Sequence, residues 1–451
     1  MQDKILETIV AAKYKWVANR KQLQPLDSFF YQVHPSTRSF YQALSGTRTS
    51  FILECKQASP SKGIIRANFD PLAIAGVYRH YSSAISVLTE EKSFQGSFDF
   101  LRQVRQTVGQ PILCKDFIID PWQIYLARLY QADAILLMLS VLDDDTYCTL
   151  TSVAHSLSMG VLTEILNNAE RERAIALKAQ VVGINNRDLR DLSIDLNRTR
   201  TLGPCLPAGV TVISESGMKH YRQVHELSYY VNGFLIGSAL MAELELMLAV
   251  NRVLLGENKV CGLTRAADAR ASLDAGMLYG GIIFVLGSPR QVKNNCCTVI
   301  AGAALRYIGV FFDAPMSKIT AKARALSLAA VQLHGSEDKT YIDALRQSLP
   351  IDCRIWKALN INNTILARKL AQVERYLIDN GGGSGKPFDW LLLNDAALKN
   401  VMLAGGLGVD NCVAAASFSG VGLDYNSGVE SSPGIKDHNK LATVFQTLRA
   451  Y

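Results

Sequence analysis

The sequence contains no Cys-x-x-Cys pair, and its nine cysteines are scattered without regular spacing. That excludes a disulfide framework and a zinc site of the usual kind, both of which need recurrent spacing, and it points to a reducing compartment. No run approaches the ~20 consecutive apolar residues of a membrane span. Near the N-terminus Asp3, Lys4 and Glu7 interrupt any apolar core, while Ile5, Ile9, Ala12 and Trp16 recur at helical spacing. This is an amphipathic helix rather than a signal peptide. The histidines lack ligand spacing. The formal charge of +7 is not gathered into a Lys/Arg block, so no nucleic-acid surface is expected. These absences predict a cytoplasmic protein with no metal, no membrane and no nucleic acid among its partners. A monomer is expected as well, although none of these features bears on oligomeric state.

What is present is a repeat of strand-like runs. At 451 residues the chain is too long for one ordinary core. In the first half FILECK, AISVLTE, PILCKDF, AILLML, GVLTEI, VVGINN, TVISES and GFLIGS follow one another. Roughly 20–35 residues separate them, enough for one strand and one helix. NKVCGL, YGGIIFVL, LRYIGVFF, LAAVQLHG, CRIWKAL, ERYLIDN, VMLAGGL and GVGLDYNS do the same in the second half. Apolar strands alternating with helices make a parallel sheet, and eight such units close a barrel. The fold class is therefore α/β: two fused (β/α)8 TIM barrels, the first with an N-terminal helical extension. Residues 1 to about 48 are expected to form helices that cap one barrel mouth. A helix Glu243–Leu255, packing Leu244, Leu248 and Leu255, should end the first barrel at Gly256. The domains are read as 1–256 and 257–451, with no Pro- or Ser-rich linker between them.

Barrel enzymes carry their chemistry at the C-terminal ends of the strands. In the first half those ends supply Glu54, Lys56, Glu90, Lys115, Glu164, Asn185, Glu215 and Ser216. Carboxylates and lysines converging on one mouth make an acid–base site whose pKa values a low-dielectric setting can shift. Any one of them could instead be an ion pair closing the mouth; so many on one mouth argue for chemistry. Ser216–Gly217 and Gly237–Ser238 fall after strands seven and eight, where barrels often hold a phosphate on backbone N–H groups. Gly405 and Gly406, then Asn426 and Ser427, occupy the same places in the second half. The run Gly381–Gly385, directly after Asp379, reads as a mobile loop over substrate or as a turn. Asp143–Asp145 reads as the acidic start of a helix.

Taken together, ILECKQASPSKG, CKDFIID, LTE, GINNRDL, ISESG and FLIGS resemble indole-3-glycerol phosphate synthase. KVCGLTR, SPR, VQLHG, LAGGL and GLDYNSGVESSPGIKD resemble phosphoribosylanthranilate isomerase. The resemblance spans essentially the whole chain and implies two consecutive activities on small phosphorylated, anthranilate-derived substrates, with no cofactor. It implies that Lys115 is the general acid of ring closure, held by Glu54, with Glu164 or Lys56 serving dehydration. Asn185, Arg187, Glu215 and Ser216 would line that pocket, and Lys56, Gly217, Gly237 and Ser238 would meet the phosphate. For the isomerase it implies Cys261 as base and Asp379 as acid, with Arg265 a candidate for lowering the thiol pKa. Arg290 would pair the anthranilate carboxylate and His334 would line the site. Four departures stand out against the family pattern: Lys178 at a turn position where glycine is common, Phe312–Asp313 in place of a polar segment, a Gly-rich run after Asp379 one residue short, and an atypical stretch after Arg290. The last three touch the isomerase mouth.

Overall fold

Strands covered on both faces must be apolar along their length, as these runs are. The computed structural model describes residues 5–292, 296–360, 370–379, 401–418 and 422–448. The first half forms β1 (Ser50–Cys55), β2 (Ala84–Leu88), β3 (Ile112–Lys115), β4 (Ala134–Met138), β5 (Gly160–Ile165), β6 (Val181–Asn185), β7 (Thr211–Glu215) and β8 (Gly233–Ile236). Neighbours pair in parallel, and β1 meets both β2 and β8, closing the barrel. The second half forms β9 (Lys259–Val260), β10 (Tyr279–Ile283), β11 (Arg306–Phe311), β12 (Ala330–Leu333), β13 (Arg354–Asn360), β14 (Arg375–Asp379), β15 (Val401–Leu403) and β16 (Gly422–Tyr425). It closes in the same way, β9 pairing with β10 and β16. The chain divides into two compact units. The change falls between Val250 and Asn251, with His220–Arg222 grouped in the second.

Several helices begin where side chains satisfy their first N–H groups. Asp120 and Gln123 form a capping box behind Pro121, and Asp70 caps the helix that starts at Pro71. Asp143 accepts from Thr146 N at 2.8 Å, so the acidic cluster does open a helix, Asp144–Ser156. Lys178 has φ 57°, a conformation that costs a side-chain-bearing residue roughly 1–2 kcal/mol and glycine almost nothing.

The N-terminal extension covers both ends of its barrel rather than one mouth. Helix Phe40–Leu44 plugs the end where the strands begin: a Cβ on Gly160, the first residue of β5, would lie 2.7 Å from Phe40 Cβ. Helix Ile5–Leu23 reaches the other end, pairing Lys13 with Asp116 after β3 and Trp16 Nε1 with Glu91 after β2. Its buried residues are Ile9, Lys13 and Val17, so a lysine occupies a core position that the apolar spacing passed over. The helix expected over Glu243–Leu255 runs from Leu246 to Leu254. Leu248 and Leu255 are buried, but Leu244 precedes the helix and is 92% exposed. Gly256 follows with φ 91°, the left-handed geometry that ends a helix on glycine.

Candidate active sites

In a (β/α)8 barrel the inward side chains of alternate strands stack in layers of four. At the top of the first barrel that layer is charged: β1, β3, β5 and β7 contribute Glu54, Lys115, Glu164 and Glu215. Lys115 Nζ lies 2.9 Å from Glu215 Oε2 and 3.3 Å from Glu54 Oε2, and Glu54 also pairs with Lys56. Two glycines make room. A Cβ on Gly183 of β6 would come within 2.0 Å of Glu215 Oε1, and one on Gly237, after β8, within 2.2 Å of Glu54 Oε1.

Burial disfavours every charge in this layer, so the pairings decide which survive. Burial would raise the Glu54 carboxyl, but the Lys56 and Lys115 ammonium groups hold it at about 2. Burial would likewise neutralise Lys115, yet Glu215, Glu54 and Glu164 hold it above the usual lysine range. Lys56 is lowered, because burial outweighs Glu54 and Lys115 repels it. Glu164 is pushed up to about 8 by burial and then by Glu215, against Lys115 and a hydrogen bond from Asn185. Lys115 as an ammonium and Glu164 as a carboxylic acid are therefore both available as proton donors in this mouth at neutral pH.

Glu54, Lys56, Lys115 and Glu164 line one cavity together with Asn185, Arg187, Ser216 and Ser238, whereas Glu215, expected to line it, is fully buried and does not. Phe94, Phe117, Leu136 and Met138 add an apolar wall suited to an aromatic ring, which the strand-end reading did not foresee. Asn185 Oδ1 accepts from Arg187 N at 3.0 Å, and Arg187 Nη1 donates to Leu192 O at 2.9 Å, fixing the arginine over the mouth. Ser216 and Gly217 turn the chain with φ 65° and 90°, and Ser238 starts the short helix Ser238–Met241. Glu90, offered by the sequence as a member of the acid–base set, is spent otherwise. Its carboxylate accepts from the backbone N–H groups of Lys92, Ser93 and Phe94 as a helix cap.

In the second barrel Cys261 directly follows β9 and is buried, its N–H donating to Tyr425 O at 2.8 Å. Asp379 ends β14, three strands away around the ring, and is half-buried. Arg265 does not serve the thiol: it pairs with Asp268, with 45% of its side chain exposed. The cation beside Cys261 is Lys259, fully buried and bonded to Asp424 at 2.8 Å. Burial still prevails and raises the Cys261 thiol, with Lys259 pulling the other way and Asp424 adding to the rise. Burial thus raises the thiol rather than leaving it lowered as expected. The sequence held a signal for this pair. Lys259 and Cys261 are two residues apart in an extended chain, hence on one face, and a lysine in a fully buried strand needs a partner.

Arg290 grips Glu430 through Nε and Nη2 at 2.8–3.0 Å, and Lys436 Nζ shares that carboxylate at 2.8 Å. Lys436 Nζ also donates to Asn426 Oδ1 at 3.1 Å, joining Arg290 to the loop after β16. His334 follows β12 and contacts Gln332. Burial, then Lys259 and Lys357, depress it to about 3, so it is neutral. Gly405 and Gly406 turn after β15 with φ 94° and 63°, and Asn426 and Ser427 lead into a 3-10 turn after β16. Asp313, in the atypical segment, has φ 43° and accepts from Ser336 N and Oγ, while Phe312 is exposed. The glycine run Gly381–Gly385 lies outside the described residues. Among the described residues no helix is long and apolar enough to cross a membrane, and no group of three His, Cys, Asp or Glu is placed to hold a metal ion.

Comparison with known proteins matches the same two segments. Residues 6–253 fit the indole-3-glycerol phosphate synthase family, and residues 258–447 the N-(5′-phosphoribosyl)anthranilate isomerase family. The tryptophan biosynthesis protein TrpCF of Salmonella typhi is 66% identical over 449 residues, 99% of each chain. That of Vibrio cholerae is 53% identical over 453 residues, 99% of this chain and 96% of the relative. Among solved structures, the phosphoribosyl anthranilate isomerase of Thermus thermophilus is 28% identical, covering 43% of this chain and 98% of that one, with a TM-score of 0.38. The chain belongs to the bifunctional tryptophan-biosynthesis enzymes that join an indole-3-glycerol phosphate synthase barrel to an N-(5′-phosphoribosyl)anthranilate isomerase barrel.

Proposed function

We propose that the residues gathered at the two mouths carry out consecutive steps, the second barrel acting first. There Asp379 protonates the furanose ring oxygen of phosphoribosyl-anthranilate, the C1′–O bond opens, and the anthranilate nitrogen becomes an iminium. Cys261, reacting as the thiolate, takes the C2′ proton and becomes the thiol, and the enol so formed becomes the ketose of carboxyphenylamino-deoxyribulose phosphate. Lys259 is the cation that stabilises the thiolate form. Arg290, already oriented by Glu430, meets the substrate carboxylate, since a guanidinium matches that planar fork. His334 lines the site, and Gly405, Gly406, Asn426 and Ser427 hold the phosphate.

In the first barrel the aromatic carbon bearing the carboxylate attacks the ketose carbonyl. Lys115, held by Glu54 and Glu215, gives its proton to the oxygen as negative charge develops there. Carbon dioxide leaves and its bonding pair restores the ring. The new hydroxyl then departs as water with a proton from Glu164, while the adjacent methylene, the former C1′, loses a proton to solvent and the indole double bond forms. Asn185, Arg187 and Ser216 orient the substrate, Glu215 acts through Lys115, and Lys56, Gly217, Gly237 and Ser238 meet the phosphate. One observation carries this division of labour: in the same mouth, carboxylates keep a lysine charged while burial keeps Glu164 protonated. It favours Glu164 over Lys56, whose ammonium is paired with Glu54, as the dehydration acid.

The reading has a pH consequence. A general acid works in its protonated form, and Glu164 is protonated below about 8 and loses its proton above. Synthase kcat/KM, which reports groups of the free enzyme, should be level near pH 7 and fall as pH rises through 8. Glu164→Gln should lose activity and abolish that limb. A profile flat from pH 7 to about 9.5 would transfer the role to another group.

We place the enzyme in the cytoplasm as a monomer. All nine cysteines are free thiols, in keeping with a reducing compartment, and each candidate site is assembled within one chain. The functional domains we propose are 1–256 and 257–451. Glu257 supports that boundary: its carboxylate is bound by Arg375 and by the Tyr279 hydroxyl of the second barrel. Separately expressed halves cut there should each be soluble and keep one activity. The second should be less stable, because β9 then starts two residues from a free end. Assays of both halves decide this. Activity seen only on mixing would mean that the halves fold as one unit.

A further inference from the structure

Lys13 of helix Ile5–Leu23 is 3% exposed at its side chain, and Asp116, its partner at 2.6 Å, is fully buried. Taking two charges out of water is costly and is repaid only when the geometry is good and the remaining hydrogen-bonding capacity is used. Here it is used. Asp116 Oδ1 also accepts from Phe117 N at 2.7 Å, and Oδ2 accepts from Thr89 Oγ1 at 2.7 Å. Thr89 N donates in turn to Lys115 O at 3.3 Å. One carboxylate therefore ties together the N-terminal helix, the end of β2 and the backbone on either side of position 116. Lys115 is the residue immediately before it, and Phe117 lines the cavity immediately after.

We infer that Lys13 is a positioning residue for the synthase: through Asp116 it sets the direction in which β3 delivers Lys115 to the mouth. Lys13 reaches the chemistry only through that relay. Without it, Asp116 is a buried carboxylate lacking its counter-charge, one residue from an ammonium that must stay with Glu54 and Glu215. The loop from 115 to 117 can then turn to satisfy Asp116 at the expense of Lys115. The role rests on Lys115 being the synthase acid, and the test separates the two ideas.

Lys13→Met should lower synthase kcat roughly tenfold to a hundredfold, with KM changed by less than about threefold, as expected of a displaced catalytic group. Isomerase turnover in the same preparation should match wild type. Lys13→Met with Asp116→Asn removes the uncompensated charge as well as the tie. That double variant should regain thermal stability yet keep the low kcat, and it decides the matter if the single variant does not fold. A merely structural lysine would shift the melting midpoint and leave kcat of the folded enzyme intact. Synthase kcat within about twofold of wild type in either folded variant overturns the positioning role. Lys115→Ala is the separate control: activity retained there removes the Lys115 assignment itself. A dead Lys115→Ala beside a normal Lys13→Met removes only the relay.

Discussion

Lys115→Ala should form no indole-3-glycerol phosphate at a rate above about a thousandth of wild type, while isomerising phosphoribosyl-anthranilate normally. General-acid removal alone costs ~10²–10⁴-fold. Here the loss is compounded, because Lys115 is also the counter-charge of the mouth. It lies 2.9 Å from Glu215 and 3.3 Å from Glu54. Removing it leaves Glu215, which is fully buried, without its cation, and breaking a buried pair typically costs ~3–5 kcal/mol of stability. The remaining carboxylates would respond by taking up protons, and the cation that meets the developing oxyanion would be gone. Isomerase turnover measured in the same sample serves as the test of folding, since Cys261 and Asp379 belong to the other barrel. Synthase activity above a tenth of wild type, or loss of both activities in a soluble folded variant, would show that the assignment is wrong.

The second large effect is expected at the other mouth. Cys261→Ser and Asp379→Asn should each reduce isomerase kcat by ~10²–10⁴-fold and leave the synthase, supplied with its own substrate, unchanged. Serine keeps the size of cysteine and its place beside Lys259, but its hydroxyl is far less acidic than a thiol. The buried ammonium that can stabilise a thiolate cannot make an alkoxide at neutral pH. The thiol itself is raised by burial despite Lys259, so the step has little acidity in reserve. Asparagine at 379 keeps the hydrogen-bonding shape and loses the proton. Steady-state assay of each variant suffices, and a loss under about tenfold in either would show that another group does the work.

Both barrels were legible in the sequence, and so was the gathering of ionisable residues at the C-terminal ends of the first barrel's strands. Sixteen apolar runs at the spacing of one strand and one helix leave few alternatives once parallel pairing and short connections are required. The roles inside each mouth were less legible. Glu90 and Glu164 are each the Glu of a Leu-Thr-Glu run at a strand end, and sequence treats them alike. The chain after Glu90 turns at once into the helix Glu91–Phe94, whose N–H groups take the carboxylate, whereas Glu164 stays inside β5 and faces Glu215. Arg265 and Lys259 likewise both stand within four residues of Cys261 along the chain. The extended backbone puts Lys259 on the same face, and the following helix gives Arg265 to Asp268.

Local chemistry, then, was determined by the sequence itself: apolar strands, capped helices, glycine at turns, and a set of ionisable residues at strand ends. The strand period and the cap geometry depend on neighbours a few positions away, so the chain order is enough to read them. Charge states and pairings were decided only by the tertiary structure. Lys115 is charged because residues 54, 164 and 215 converge on it from three other strands, and Glu164 is neutral because closing the barrel removes the water that would have kept it ionised. The buried face of the first helix was decided in the same way. A lysine at position 13 reads as solvated until Asp116, about a hundred residues away, is folded against it. Electrostatic energy depends on distance and dielectric, and neither quantity exists until the chain has closed on itself.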